Sequence, residues 1–126
     1  MKKYCYLLSM LVFASCSNVK KEDSASSIEG KWLKKGTFQG KSYDFEGRFK
    51  KDGSYDAFMD GKHFVTGKYT MKHDTIYLTD SGCDSTVVGI YKIRSFQDSI
   101  QFKLIADDCD NRREGTKDLT FGKIKD

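Results

Sequence analysis

Three copies of one short pattern divide the central part of this 126-residue chain. Each copy is a glycine, any residue and an aromatic residue, followed after a few polar residues by Ser or Thr and then a hydrophobic residue. The copies begin at Gly47, Gly67 and Gly89, which are 20 and 22 residues apart. That spacing fits two short strands and a turn, so the repeat predicts an antiparallel meander of hairpins.

Turn residues predict where the strands begin and end. Glycines and Asp-rich turns divide the chain into eight predicted strands at 30–38, 43–51, 54–60, 63–71, 75–80, 86–95, 99–106 and 116–124. No helical period of useful length follows Ser15. The chain has no proline to protect an edge strand, and closure into a barrel removes edges altogether. We therefore predict an all-β, antiparallel, up-and-down barrel of eight strands.

The first residues have the features of an export signal. Lys2 and Lys3 precede a short apolar run, 7–14, which is too short to span a bilayer as a helix. The sequence 13–16, Phe-Ala-Ser-Cys, resembles the lipobox of bacterial lipoproteins, in which the cysteine receives a diacylglyceryl group and becomes the first mature residue. The resemblance implies a signal peptide at 1–15 and lipidation of Cys16. The alternative is ordinary secretory cleavage that leaves Cys16 free.

The lipobox resemblance also implies where the protein is found. It places an exported bacterial lipoprotein in the cell envelope, at the outer membrane on its periplasmic or surface face, with the N-terminal lipid as the membrane contact. Residues 16–27 contain many charged and serine residues and predict a flexible tether. Removing residues 1–15 takes away two lysines and no acidic residue, so the net charge falls from +4 to +2. This charge is too small to indicate a nucleic-acid partner.

Two cysteines remain in the predicted domain, at 83 and 109. In an exported protein, two cysteines in loops predict a disulfide, here Cys83–Cys109. Closing this loop would stabilise the fold by roughly 3 kcal/mol. The pair lacks the C-x-x-C spacing of redox or metal sites.

Residues 28–126 form the predicted domain, and about residues 28–124 of it resemble small bacterial lipocalin-like domains. Gly30-Lys31-Trp32 is similar to the G-x-W signature of lipocalins, and further similar pieces are Gly67-Lys68-Tyr69, Asp74-Thr75-Ile76, Gly82-Cys83-Asp84, Gly89-Ile90-Tyr91 and 107–112. The resemblance implies that the signature Trp closes the base of the barrel under an arginine. We expect Gly30, Trp32 and Arg112 to form this closure, with Arg113 as the other candidate and solvated loop charges as the alternative.

The sequence contains no recognisable catalytic motif. It has no Gly-x-Ser-x-Gly elbow, phosphate-binding loop or H-E-x-x-H, so we predict neither an enzyme nor a cofactor. Carboxylates at 80, 84, 107, 108 and 110 would suit Ca²⁺ if they converged, but their spacing matches no EF-hand loop, and Asp is common in turns. His63 and His73 lack a third ligand for zinc. We assign no metal site.

Aromatic residues raise the question of a ligand cavity. Phe49, Tyr69, Tyr91 and Phe102 are candidates to line a cavity for a small hydrophobic ligand. Because an eight-stranded barrel is close to the size that side chains can fill, we expect a filled or nearly filled interior. Two functions follow: a lipid-anchored binding module or structural envelope protein, and an inhibitor of a hydrolase that inserts segment 80–86 or 107–115. A protein partner is not identified.

Overall fold

A computed structural model describes residues 28–125 of the chain. The predicted signal peptide 1–15, the predicted lipidation site Cys16 and the predicted tether up to residue 27 lie outside the described residues. Within the described part, no helix is long and apolar enough to cross a membrane.

The described residues form a closed antiparallel barrel in which each strand pairs with its neighbour in the chain and the last pairs with the first. The strands are β1 (Gly30–Phe38), β2 (Lys41–Phe49), β3 (Ser54–Met59), β4 (Lys62–Lys72), β5 (Thr75–Asp80), β6 (Gly89–Ser95), β7 (Ser99–Ala106) and β8 (Thr120–Lys123). The predicted all-β, up-and-down, eight-stranded barrel is confirmed. Its architecture is consistent with a lipocalin-like barrel.

Two strand starts differ from the prediction by more than two residues. A short helix, α1 (Asp110–Thr116), lies between β7 and β8, so the last strand begins at Thr120 rather than at residue 116. β6 begins at Gly89 because residues 84–87 form a turn in which Asp84 accepts hydrogen bonds from the backbone and hydroxyl of Thr86. Both differences lie at the same end of the barrel and lengthen the connections there.

The two ends of the barrel are built differently. The connections β2–β3, β4–β5 and β6–β7 and both ends of the described chain lie at one end, which we call the closed end. Here Ile28 is buried, and its carbonyl accepts a hydrogen bond of 2.8 Å from the Trp32 indole. The connections β1–β2, β3–β4 and β5–β6 and helix α1 surround the other end, which we call the open end.

The glycines of the repeat face the interior and leave room for larger neighbours. A side chain at Gly67 would collide with the ring of Tyr55, which is paired with it across β3 and β4. At Gly89 it would meet the Asp107 carboxylate at 2.5 Å and the Arg112 guanidinium at 2.8 Å. The repeated glycines thus mark positions at which a bulky side chain from a neighbouring element occupies the interior.

Candidate ligand-binding cavity

A cavity of about 680 Å³ lies inside the barrel, and residues of the open end form part of its lining. Its walls come from β1–β5, β7, β8 and α1, and its lining is mainly apolar. The large apolar and aromatic residues of the lining are Phe38, Tyr43, Phe45, Phe49, Tyr55, Met59, Phe64, Leu78, Phe102, Leu119 and Phe121. The barrel interior is therefore not filled, contrary to the expectation from sequence.

Small residues explain why the interior stays open. Gly47 pairs directly with Ala57 across β2 and β3, and both line the cavity. Gly82 and Gly115 line it from the β5–β6 loop and from α1. Because these positions carry little or no side chain, the aromatic residues around them surround a space that they do not fill.

Aromatic rings pack against one another along the wall of the cavity. The rings of Phe45 and Phe121 stack with centroids 5.4 Å apart, and Phe121 also meets Phe102 edge-on at 6.0 Å. Phe64 lies 5.7 Å from Phe45 on the other side. Contacts of this kind restrain the rings and give the cavity a defined apolar surface.

The structure separates the four predicted cavity residues into two pairs. Of the residues that it describes, Phe49 and Phe102 line the cavity, whereas Tyr69 and Tyr91 do not. Tyr69 donates its hydroxyl hydrogen to the Lys50 carbonyl at 2.6 Å, in the β2–β3 turn. Tyr91 is fully buried and donates to the Asp107 carboxylate. Both rings also pack in the core, Tyr69 edge-on to Phe49 and Tyr91 edge-on to Phe102.

A buried polar network forms one side of the barrel at the open end. The Arg112 side chain is 5% exposed and donates through Nε and Nη2 to the two oxygens of Asp107, at 2.7 and 2.8 Å. Nη2 also donates to the Val87 carbonyl at 2.9 Å. Nη1 lies 3.5 Å from Asp80, whose carboxylate accepts a hydrogen bond of 2.8 Å from the Tyr55 hydroxyl.

The protonation states of this network follow from its contacts. Burial acts to raise the pKa of Asp107, but hydrogen bonds from Arg112, Tyr91 and the Cys109 amide outweigh it and keep that pKa below its usual range. Burial acts to lower the pKa of Arg112, and the bond and charge of Asp107 raise it instead. Burial and the nearby Asp80 carboxylate raise the pKa of Tyr55, so its hydroxyl stays protonated and donates.

The disulfide Cys83–Cys109 is present, as predicted, and joins the β5–β6 loop to the start of α1. Its two Cα atoms are 6.0 Å apart, within the usual range for a disulfide. Cys109 is buried and lines the cavity, so the bond fixes two connections of the open end beside the Arg112 network.

The predicted barrel closure named the wrong residue as the cation over Trp32. Arg112 is bonded to Asp107 at the open end, and Arg113 donates to the Asp107 carbonyl and pairs with Asp110. The cation over the ring of Trp32 is Lys123, whose Nζ lies 4.8 Å from the ring. The Lys123 ammonium also donates to the Glu29 carbonyl at 2.9 Å, next to Gly30. Trp32 itself is buried at the closed end.

Most of the acidic candidates, and His63, are engaged with protein groups. Asp80 and Asp107 converge on Arg112 rather than on one another, and Asp84 holds the turn described above. His63 lies 3.1 Å from Asp56 and 2.8 Å from Thr66 on the outer surface. Within residues 28–125, no three His, Cys, Asp or Glu side chains group as a metal site would require.

The sequence analysis missed Lys34, Phe45 and Phe121 as cavity residues. Strand alternation was the available signal for Lys34, because a residue two positions after the buried Trp32 lies on the same face of β1. The same rule places Phe45 on the face of Gly47. Phe121 lies inside the predicted last strand, 116–124, but was not singled out as a cavity residue.

Comparison with known proteins gave no match to this chain among protein-family models, curated proteins or solved structures.

Proposed function

We propose that this protein is a lipid-anchored, non-enzymatic binding module of the bacterial cell envelope, and that its lipocalin-like barrel takes up a small hydrophobic molecule. The observation that carries the proposal is the open apolar cavity of about 680 Å³. Small-molecule sites typically have volumes of about 300–1,000 Å³, with mostly hydrophobic and aromatic walls and a few polar groups. The cavity fits this description in both size and lining.

The envelope location rests on two features. The lipobox-like sequence before Cys16 supports export and lipidation. The disulfide Cys83–Cys109 supports an oxidising compartment, since disulfides persist outside the cytoplasm.

A binding role is favoured over catalysis because the polar wall is already engaged. Asp80 accepts hydrogen bonds from the Tyr55 hydroxyl and the Gly82 amide, and Arg112 is bonded to Asp107. A general acid or nucleophile needs a group that is free to exchange a proton or attack. These groups instead hold the wall in place, and among the described side chains only Nη1 of Arg112 is buried without a hydrogen bond.

The alternative, an inhibitor of a hydrolase, has less support. It requires segment 80–86 or 107–115 to insert into an enzyme. These two segments are joined to each other by the disulfide and by the ion pair of Arg112 with Asp80, and several of their residues line the cavity. They support the wall of the barrel rather than a loop that inserts elsewhere.

A matched pair of substitutions tests the proposed function. Ala57→Phe adds a ring inside the cavity, and Ala106→Phe makes the same change at an exposed position of β7 outside it. We expect residues 17–126 to enhance the fluorescence of N-phenyl-1-naphthylamine saturably. Ala57→Phe should weaken this binding by about tenfold because the ring occupies ligand space.

The control should bind as the unchanged protein does. Thermal unfolding of both variants shows whether they remain folded. Failure of the unchanged protein to bind the probe, or equal binding by a folded Ala57→Phe variant, would contradict the proposed function.

A further inference from the structure

The charged residues that line the cavity fall into two groups. Asp80 and Arg112 belong to the buried network, and Asp60 accepts a hydrogen bond of 2.8 Å from the Asp44 amide. Lys34 and Lys41 also line the cavity, yet neither ammonium group has an ion-pair or hydrogen-bond partner among residues 28–125. Among residues 28–125, the lining therefore carries two lysines and one aspartate, Asp60, that no ion pair neutralises, which is a net charge of +1.

Lys34 is placed to reach a molecule inside the barrel. It is half-buried on β1, two positions after the buried Trp32, and pairs across the sheet with Phe45. The pairing of β8 with β1 includes Trp32 and Leu33, and Lys34 comes next, where β1 extends beyond β8 toward the open end. Lys35 has the opposite orientation: its side chain is 75% exposed and lies 3.9 Å from Asp44 on the outside.

The charged residues are distributed unevenly between the two sides of the cavity. β5 lies four strands from β1 in the closed order, so Asp80 is across the barrel from Lys34. Arg112, Asp80 and Asp107 are one cation and two anions, so this group has a net formal charge of −1. On the side of β1 and β2, Lys34 and Lys41 against Asp60 leave a net charge of +1. A negative group inside the cavity is thus favoured on that side over the Arg112 wall.

We propose that the ligand is an amphiphile with an anionic head group of the carboxylate type, which pairs with Lys34 while its apolar chain lies against Phe45 and Phe121. This inference rests on the proposed function and adds the chemical class of the ligand. A half-buried ammonium surrounded by apolar walls gains most from a carboxylate, which supplies both countercharge and a charge-assisted hydrogen bond. Lys41 at the rim adds a second positive charge for the same head group.

A competition experiment tests the assignment. The full chain, isolated from membranes in a non-ionic detergent, is mixed with equal concentrations of hexadecanoic acid and hexadecanol, and the two complexes are counted by native mass spectrometry. The two probes have the same chain length and differ in the head group. We expect the acid to be the major bound species, and Lys34→Gln to lower the ratio of bound acid to bound alcohol by about tenfold.

Two further variants make the result specific to Lys34. Lys35→Gln removes the same charge from the neighbouring outward position and should leave the ratio unchanged, whereas Lys34→Arg keeps the charge and should retain the preference for the acid. An unchanged ratio in Lys34→Gln, or equal loss of acid and alcohol, would overturn the assignment of the head group alone. Retention of neither probe by the unchanged protein would overturn the proposed function together with this inference.

Discussion

The guanidinium of Arg112 connects three separate parts of the chain. It bonds to Asp107 after β7, to the Val87 carbonyl in the β5–β6 loop, and it lies beside Asp80 at the end of β5. The Arg112 and Asp107 side chains are 5% and 0% exposed. Breaking a buried pair of this kind leaves one charge in the interior without compensation, which costs far more than an exposed pair contributes.

We predict that Arg112→Met lowers the free energy of unfolding by about 3–5 kcal/mol, because Asp107 would keep a buried charge. Chemical denaturation followed by circular dichroism measures the change. Arg94→Met is the matched control, since Arg94 is exposed on β6 and no ion pair involves it among residues 28–125. The control should lose less than about 1 kcal/mol. Equal effects of the two substitutions would show that the buried pair has no special role.

Sequence reasoning identified some of these residues but not their partners. It predicted the disulfide because Cys83 and Cys109 are the two cysteines left once the predicted export signal and the predicted lipidation site Cys16 are set aside. It selected Phe49 and Phe102 correctly for the cavity, since strand alternation determines which face a side chain occupies. It could not place Tyr69 and Tyr91, whose hydroxyls bond to Lys50 and Asp107, because long-range hydrogen bonds leave no local pattern.

Among the strands, the repeated glycines combine two requirements. They keep the pleated alternation of β2, β4 and β6, and they leave space for a large group from the neighbouring element. At Gly67 the space is occupied by the Tyr55 ring, and a Cβ there would also collide with the Thr79 carbonyl. Backbone atoms cannot move as easily as a flexible side chain, so a substitution at this position requires a shift of the sheet.

We predict that Gly67→Ala lowers the free energy of unfolding by about 1–3 kcal/mol through overpacking. Gly115→Ala is the control: this glycine is in α1, and an added Cβ there meets nothing within 4 Å. Because alanine is the better helix former, the control should be neutral or stabilising by up to about 1 kcal/mol. Thermal or denaturant unfolding distinguishes them, and a neutral Gly67→Ala would mean that the sheet accommodates the methyl group.

The helix α1 shows why one element escaped prediction. Its sequence, residues 110–116, contains no large apolar residue, so it has no hydrophobic period to detect. The residue that it buries is Arg112, and this burial depends on Asp107 and Asp80. An acidic residue in the first turn and the Asp110–Arg113 pair at i, i+3 were the local signals, and they are weak.

For the whole molecule, the barrel is sealed at one end and open at the other. Ile28 and Trp32 close the base, while the disulfide and the Arg112 network hold the wall of the open end. The repeat predicts strand number and pairing because hairpins are local. The cavity depends on the volumes of residues far apart in the chain, which is why its size did not follow from sequence.

We predict that replacing both cysteines of the disulfide with serine lowers the free energy of unfolding by about 3 kcal/mol. The bond joins residues separated by 26 positions and restricts the unfolded chain, so its loss raises the entropy of the unfolded state. Denaturant unfolding of the double variant measures the loss. Reduced unchanged protein serves as the comparison and should show the same loss. A double variant as stable as the oxidised protein would indicate that the Arg112 network alone holds the open end.

The central claim is that the barrel holds a small hydrophobic molecule. Native mass spectrometry of the protein purified gently from the cells that make it tests this claim most directly. Our account predicts a retained small-molecule mass that is lost on denaturation, together with the two-hydrogen deficit of the disulfide. A protein mass without any bound molecule, in a preparation that also fails to take up added hexadecanoic acid or hexadecanol, would contradict it.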